Sequence, residues 1–453
     1  MTGARVLVGH NIAMMATLPA GSVHAVVTSP PYWGLRDYGL PPTRWADGAE
    51  CCLGLETTPE AFVAHLVEVF DNVARVLRPD GTCWVNLGDC YAGGGRAGKN
   101  PEYQARHTEF GKEGRGAAAY GVPIGVPKGC KPKDLVGIPW RFAFAMQARG
   151  WYLRAAIPWV KRSVMPSSVR DRPTTGTETV FLFAHPESGG RYFYDIEATK
   201  AGAAKGAAGS RFDQGKTGAT QRRVQAGPRE SDEAPTRQRR DTDFFFDSLR
   251  AILDGGKALL HPEPEDEDTE AGTISDGHPS PLAVVVNPSP FKEAHFATFP
   301  EALIAPMILA STSEKGACGA CGSPWVREVE RAERPGVGLT VKPNKADGGL
   351  TAEHGLDRMG MSHFKADQWN KANPPKTVGW KSSCPCPAAD PVPATVLDPF
   401  GGSGTTAAAA IRLGRNAIIC EMNPEYAAIA ERRIAIAEED SRPAPILQQS
   451  LFA

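Results

Sequence analysis

One nine-residue stretch constrains the fold more than any other: Asp398-Pro399-Phe400-Gly401-Gly402-Ser403-Gly404-Thr405-Thr406. An apolar run from Ala394 to Leu397 enters it and has the length of a short buried strand. A helical pattern leaves it, Thr405 to Leu413, and Gly414 supplies the residue type that commonly ends a helix. The glycines let the backbone pass close to a ligand. The helix start adds free N–H groups and a positive dipole end. A second strand, Asn416 to Cys420, ends in Glu421, and Asn423-Pro424 then opens another helix. A carboxylate in that place suits the two hydroxyls of a ribose. The unit predicts an α/β domain that holds an adenosine-containing cofactor with Asp398 to Thr406, Glu421 and Asn423.

The chain has 453 residues, enough for two or three domains, and 42% of them are hydrophobic. Its 48 glycines and 39 prolines place much of the excess length in loops. A net charge of −1 means that any nucleic-acid surface must come from local basic clusters. No apolar run reaches membrane-spanning length and the N-terminus lacks a signal peptide's apolar core, so a cytoplasmic protein away from membranes is expected.

A second motif lies far upstream. Arg5–Val8 is a strand candidate, Asn11–Leu18 a short helix, and Val23–Val27 a strand running into Thr28-Ser29-Pro30-Pro31-Tyr32-Trp33. Two prolines after a strand fix a rigid, extended path that cannot continue a ladder. The motif therefore sits beyond a strand's carboxyl end, where open α/β sheets place ligands. Rigid backbone, an oxygen acceptor and two aromatics make a slot for a flat ring; the alternative is a proline-kinked surface turn.

Here the chain resembles a known family. Ser-Pro-Pro-Tyr at 29–32 and Asp-Pro-Phe-Gly-Gly-Ser-Gly at 398–404 are similar to the catalytic and cofactor motifs of DNA methyltransferases acting on exocyclic amino groups. The order, catalytic motif first, is that of the β group. The longer strings Thr28–Gly39, Lys133–Trp140, Ala294–Pro300 and Leu397–Thr406 resemble the bacterial and phage branch of site-specific methylases. The resemblance covers residues 1–198, 281–312 and 391–438. It implies a Rossmann-like fold with a mostly parallel sheet and a terminal β-hairpin, S-adenosylmethionine as cofactor, and double-stranded DNA as substrate. A cognate restriction endonuclease is an expected partner.

The resemblance also implies roles. Ser29 and the Pro30 carbonyl accept hydrogen bonds from the target amine, Pro31 keeps the path rigid, Tyr32 stacks on the flipped base and Trp33 shapes the pocket or flanks the strand. Thr28, Asp89 and Phe299 join the cofactor set, Asp89 near the adenine and Phe299 near the methionine part. A cap in a turn or helix is the other reading of Asp89. Serine at position 29 favours N4 of cytosine over N6 of adenine by family analogy. The carbon-5 cytosine chemistry is excluded, since no Pro-Cys-Gln string occurs. A catalytically inactive DNA-binding regulator of the same fold is the rival from another class.

Between the motifs, Thr58-Pro59 opens an amphipathic helix through Leu77, Pro79-Asp80-Gly81 reads as a turn and Thr82–Leu87 as a strand. Residues 91–131 are glycine-rich and read as a mobile loop that orders on DNA or as a disordered insertion. Asp134 is placed to cap a helix from Leu135 to Arg149. Trp151–Val160 reads as a strand; Lys161, Arg162, Arg170 and Arg172 form a basic loop suited to phosphates; Thr179–Ala184 and Arg191–Tyr194 read as the closing hairpin. Residues 199–280 read as a low-complexity linker or recognition region, with a helix only at Asp243–Leu253. Ala283–Val286 is a strand candidate and Glu301–Ala310 a helix.

Residues 313–390 interrupt the cofactor-binding half (281–312 and 391–438), and 439–453 read as a tail. In this insert Cys318 and Cys321 have Cys-x-x-Cys spacing, and Cys384 and Cys386 follow at a distance. Four thiolates fit a structural zinc; free or redox-active cysteines are the alternative, and His354 and His363 are substitute ligands.

Overall fold

The computed structural model describes residues 2–93, 119–120, 125–161, 171–199, 284–285, 299–332, 369, 373, 375–387 and 390–442. Eight strands form the central sheet: β1 (Ala4–Val8), β2 (Val23–Thr28), β3 (Leu77–Leu87), β4 (Tyr152–Val160), β5 (Thr177–Ala184), β6 (Val284–Val285), β7 (Thr395–Asp398) and β8 (Asn416–Glu421). Their order across the sheet is β1-β8-β7-β2-β3-β5-β4-β6. The pairs from β1 to β3 are parallel, β5 is antiparallel to β3 and β4, and β6 lies parallel to β4. The two ends of the sequence thus meet at the middle of the sheet, where Val396 and Leu397 pair with Ala25 and Val26.

Side-chain alternation along the strands explains the layers. Val26, Leu397, Phe181 and Phe183 face one core with α1 (Asn11–Ala16), α2 (Pro59–Val76) and α3 (Ile138–Ala148). Val27, Val396, Val180 and Leu182 face the other, with α4 (Glu301–Ser311), α5 (Thr405–Arg412) and α6 (Pro424–Asp440). This is the Rossmann-like three-layer arrangement, with a mostly parallel sheet and an antiparallel pair at one side.

Local signals worked where caps were strong. Thr58 caps α2 by accepting from the Ala61 N–H, with proline in the first turn. Asn423 does the same for α6. Gly414 has φ +77° and ends α5 as its position predicts.

Other expectations are corrected. The hairpin is β4 with β5, not Thr179–Ala184 with Arg191–Tyr194. The latter stretch is not a strand; Phe193 N–H donates to the Asp80 carbonyl. Pro79-Asp80-Gly81 is a bulge inside β3, since Val23 pairs with Leu77 and Ala25 with Thr82. Asp134 does not cap α3: its carboxylate accepts from Lys131 N–H, and Asp89 accepts from Gly137 and Ile138 at the helix start. The Asp243–Leu253 helix, nearly all of 199–280, Arg162, Arg170, His354 and His363 lie outside the described residues.

Candidate active site

A cavity of about 260 Å³ opens at the carboxyl ends of β1, β2, β7 and β8. Ser29, Pro30, Pro31 and Tyr32 line it from the turn after β2, and Asp398 to Ser403 from the turn after β7. Glu421, Met422 and Asn423 close it after β8, and Gly9, His10 and Asn11 after β1. Phe299 and Thr405 also line it. The two sequence motifs share one cleft.

On the β7 side, Asp398 is buried and acts as a brace. Its Oδ1 accepts from Thr28 Oγ1 at 2.6 Å and from Phe400 N–H at 3.0 Å, and its Oδ2 accepts from Thr406 Oγ1 at 2.7 Å. Burial pushes its pKa above the usual carboxylate value, and these three donors act against that rise. Thr28 and Thr406 therefore reach the site through Asp398 rather than by lining the cavity. Two of the three glycines answer to packing. A Cβ on Gly401 would lie 2.8 Å from Ile419 Cβ, and one on Gly404, at φ +80°, 2.8 Å from Ala430 Cβ. Gly404 thus lets α5 press on α6 and does not line the cavity.

Glu421 takes the Gly402 N–H on Oε2 and the Asn423 N–H on Oε1, both at 2.7 Å. Each oxygen keeps a further lone pair for a ligand hydroxyl. Burial, with nearby Asp398 as a lesser cause, raises its pKa. The cradle fits an adenosine-containing cofactor: a carboxylate at the strand end, a glycine turn held against it, and Phe299 and Phe400 on the wall.

On the β2 side, four polar groups form a network. Tyr32 Oη donates to Glu178 Oε2 at 2.6 Å, and Asn86 Nδ2 donates to Tyr32 Oη at 2.9 Å and to Glu178 Oε2 at 2.8 Å. Lys161 is ion-paired with Glu178 Oε1 and stands 4.6 Å from the Trp159 ring centroid. Burial and the adjacent Glu178 push the Tyr32 pKa well up, so its phenol stays a neutral donor. Gly88 leaves room for that ring: a Cβ there would lie 2.5 Å from a Tyr32 ring carbon. Ser29 Oγ has only long contacts, 3.4 Å to Tyr32 Oη and 3.5 Å to Asn86 Nδ2, and so is open to a better partner.

Asn86, Glu178 and Trp159 were not anticipated, and Lys161 was expected to meet phosphate rather than a carboxylate. The signal for Asn86 was a polar residue inside the apolar run of β3; it is 5% exposed, and its Oδ1 has no partner. Asp89 is absent from the cavity lining, where sequence placed it near the adenine, because its carboxylate is used by the N–H groups of Cys90, Gly137 and Ile138. Trp33 is buried in the core, its indole N–H donating to the Glu56 carbonyl. Arg172 of the basic loop lies 3.7 Å over the Tyr91 ring.

The four cysteines of the insert lie elsewhere, with their Sγ atoms within 4.8 Å of one another. No helix among the described residues is long and apolar enough to cross a membrane.

Comparison with known proteins gives the family. The Type II methyltransferase M.Cfr9I of Citrobacter freundii is 34% identical over 360 residues, 79% of this chain and 90% of its own length. M.XycI of Xanthomonas campestris pv. cyanopsidis is 44% identical over 200 residues, 44% of this chain and 59% of its own. Among solved structures, the cytosine-N4-specific PvuII DNA methyltransferase aligns over 97% of this chain and 92% of its own, at 15% identity and a TM-score of 0.44. A family model described as DNA methylase, for N6 and N4 transfer, matches residues 23–318 and 390–432. The chain therefore belongs to the N6/N4 DNA methylase family and is an S-adenosylmethionine-dependent DNA methyltransferase.

Proposed function

We propose that the enzyme methylates N4 of cytosine in a defined DNA sequence, on a base turned out of the duplex into the cleft. The observation that carries this reading is Ser29: a neutral hydroxyl, open to a stronger partner, on the rim shared with the Gly401–Glu421 cradle.

Bound S-adenosylmethionine supplies a methyl group already activated on sulfonium, so the protein's task is placement and exclusion of water. Phe400 to Ser403, Glu421, Asn423 and Phe299 would hold it. An exocyclic amine is a weak nucleophile because its lone pair is delocalised into the ring. Ser29 Oγ and the Pro30 carbonyl accept its N–H bonds and draw that pair back onto nitrogen. Tyr32, fixed by Glu178 and Asn86, forms the wall on which the ring stacks. Pro30 and Pro31 keep the acceptors from swinging away. Turning the base out costs a few kcal/mol of unstacking, offset by phosphate contacts from basic loops such as that around Arg172. The Type II relatives support a cognate restriction endonuclease as the biological partner, and with it a cytoplasmic location.

Digesting treated DNA to nucleosides and identifying the product by mass spectrometry tests the proposal. N4-methylcytosine is expected; N6-methyladenine would overturn the choice of base. Ser29→Ala should keep DNA binding and lose methyl transfer. Unmodified DNA from the parent enzyme would instead favour a binding regulator.

A further inference from the structure

The insert brings four sulfurs together by strand register. Ala317–Cys318 pairs with Pro391–Val392, and Trp325–Glu330 pairs with Lys376–Ser382. In the second pair Trp325 lies opposite Ser382. Cys321 precedes that point by four residues and Cys384 follows it by two, so both cysteine pairs emerge on the same end of the ribbon. The first pair forms a tight knuckle: Gly322 N–H donates to the Cys318 carbonyl and Cys318 N–H to the Ser323 carbonyl, both at 2.8 Å. Ser383 Oγ donates to the Pro324 carbonyl at 2.6 Å and ties the second pair to the first.

All four Sγ atoms lie within 4.8 Å of one another, and all four cysteines are free. Sulfurs at about 2.3 Å from a common tetrahedral centre stand about 3.8 Å apart. The set is therefore within small side-chain adjustments of that geometry. It contains only soft sulfur donors, and four protein ligands leave no open position for catalysis.

The knuckle is bolted to the sheet at the end opposite the cleft. Arg78, at the start of β3, donates from Nη1 to the Cys321 carbonyl at 2.7 Å. His24, near the start of β2, has Nε2 3.0 Å from the Gly322 carbonyl and accepts the Thr395 N–H on Nδ1 at 3.0 Å. Nδ1 is thus the acceptor and Nε2 the donor. Thr395 is the first residue of β7, the strand that delivers Asp398 and the glycine turn.

We infer that Cys318, Cys321, Cys384 and Cys386 form a structural zinc site that fixes the base of the insert and, through His24, the placement of β7. Binding forms four Zn–S bonds as the thiols yield their protons to solvent. No electron is transferred, and the site takes no part in methyl transfer.

The test uses the full chain purified from zinc-supplemented culture without chelator. Elemental analysis should find one zinc per chain. Replacement with cobalt should give thiolate-to-metal charge-transfer bands and the visible spectrum of a tetrahedral ion. Cys384→Ser combined with Cys386→Ser should lose the metal, whereas Cys130→Ser, outside the cluster, should keep it. Should the double variant fail to fold, metal content and cobalt spectra of the parent chain decide. Protein without metal, with four freely titrating thiols and no cobalt–thiolate bands, overturns the site. Chelator-stripped protein should exchange backbone hydrogens faster at 316–326 and 391–398; unchanged exchange there overturns the link to β7. These readouts are independent of activity, so they stand apart from the choice of target base.

Discussion

Thr28 Oγ1 donates to Asp398 Oδ1 at 2.6 Å, joining residues 370 positions apart in the chain. The bond ties the strand that leads into Ser29 to the strand that leads into the glycine turn. In the proposed reaction it sets the distance between the amine's acceptors and the cofactor's cradle. Thr28→Val keeps the shape and removes the donor. A buried hydrogen bond of this kind is worth about 1–2 kcal/mol. Cofactor affinity by calorimetry should weaken about 5- to 30-fold, with a lowered melting temperature.

Glu421 sets a pH dependence. Burial raises its pKa, so it takes up a proton at higher pH than an ordinary glutamate, near ~4.3. The ionised form is the better acceptor for ligand hydroxyls. Affinity for S-adenosylmethionine should therefore fall as pH is lowered, at a higher pH than an unperturbed carboxylate would allow. Glu421→Gln should bind more weakly throughout and flatten the profile. Calorimetry across pH checks both.

Glu178 positions rather than reacts. It accepts from Tyr32 and Asn86 and pairs with Lys161. Glu178→Gln removes the ion pair and leaves Tyr32 with a poorer acceptor. Charge-assisted hydrogen bonds contribute about 1.5–3 kcal/mol, so kcat should fall about 10- to 100-fold. The KM for S-adenosylmethionine should hardly change, because Glu178 lies on the base side. A loss confined to cofactor KM would contradict this assignment.

Gly316 is a stability prediction remote from chemistry. It has φ +100°, and a Cβ there would lie 2.3 Å from the Val392 carbonyl oxygen. Gly316→Ala should cost about 2–3 kcal/mol and lower the melting temperature by several degrees. Scanning calorimetry reads it directly.

Much of this was legible in the residues. Asp398 to Glu421 spelled a complete strand–turn–helix–strand–acid unit, and Ser29 to Tyr32 announced the second half of the cleft. The glycines were less transparent, because Gly401 and Gly404 answer to Ile419 and Ala430, contacts that no local pattern encodes. Asp134 was misassigned as the cap of α3 for the same reason, while Asp89 takes the cap that was the other reading of it. Both can cap, and only the bridge of the 88–93 turn to residues 131–138 decides which one meets Ile138. Glu178 was hidden because the sequence places it just before the expected Thr179–Ala184 strand, where a lone acid reads as solvent-facing. Antiparallel pairing with β3 and β4 turns it toward Tyr32.

The residues on which the insert leaves and rejoins the main body, Ala317–Cys318 and Pro391–Val392, lie side by side as an antiparallel pair. Beyond the cysteine knuckle that braces the sheet, a segment entered and left through adjacent doorways can lengthen or shrink without dragging the sheet with it. The chain therefore carries a ready-made port for cassettes of different length, at the end of the sheet opposite the cleft.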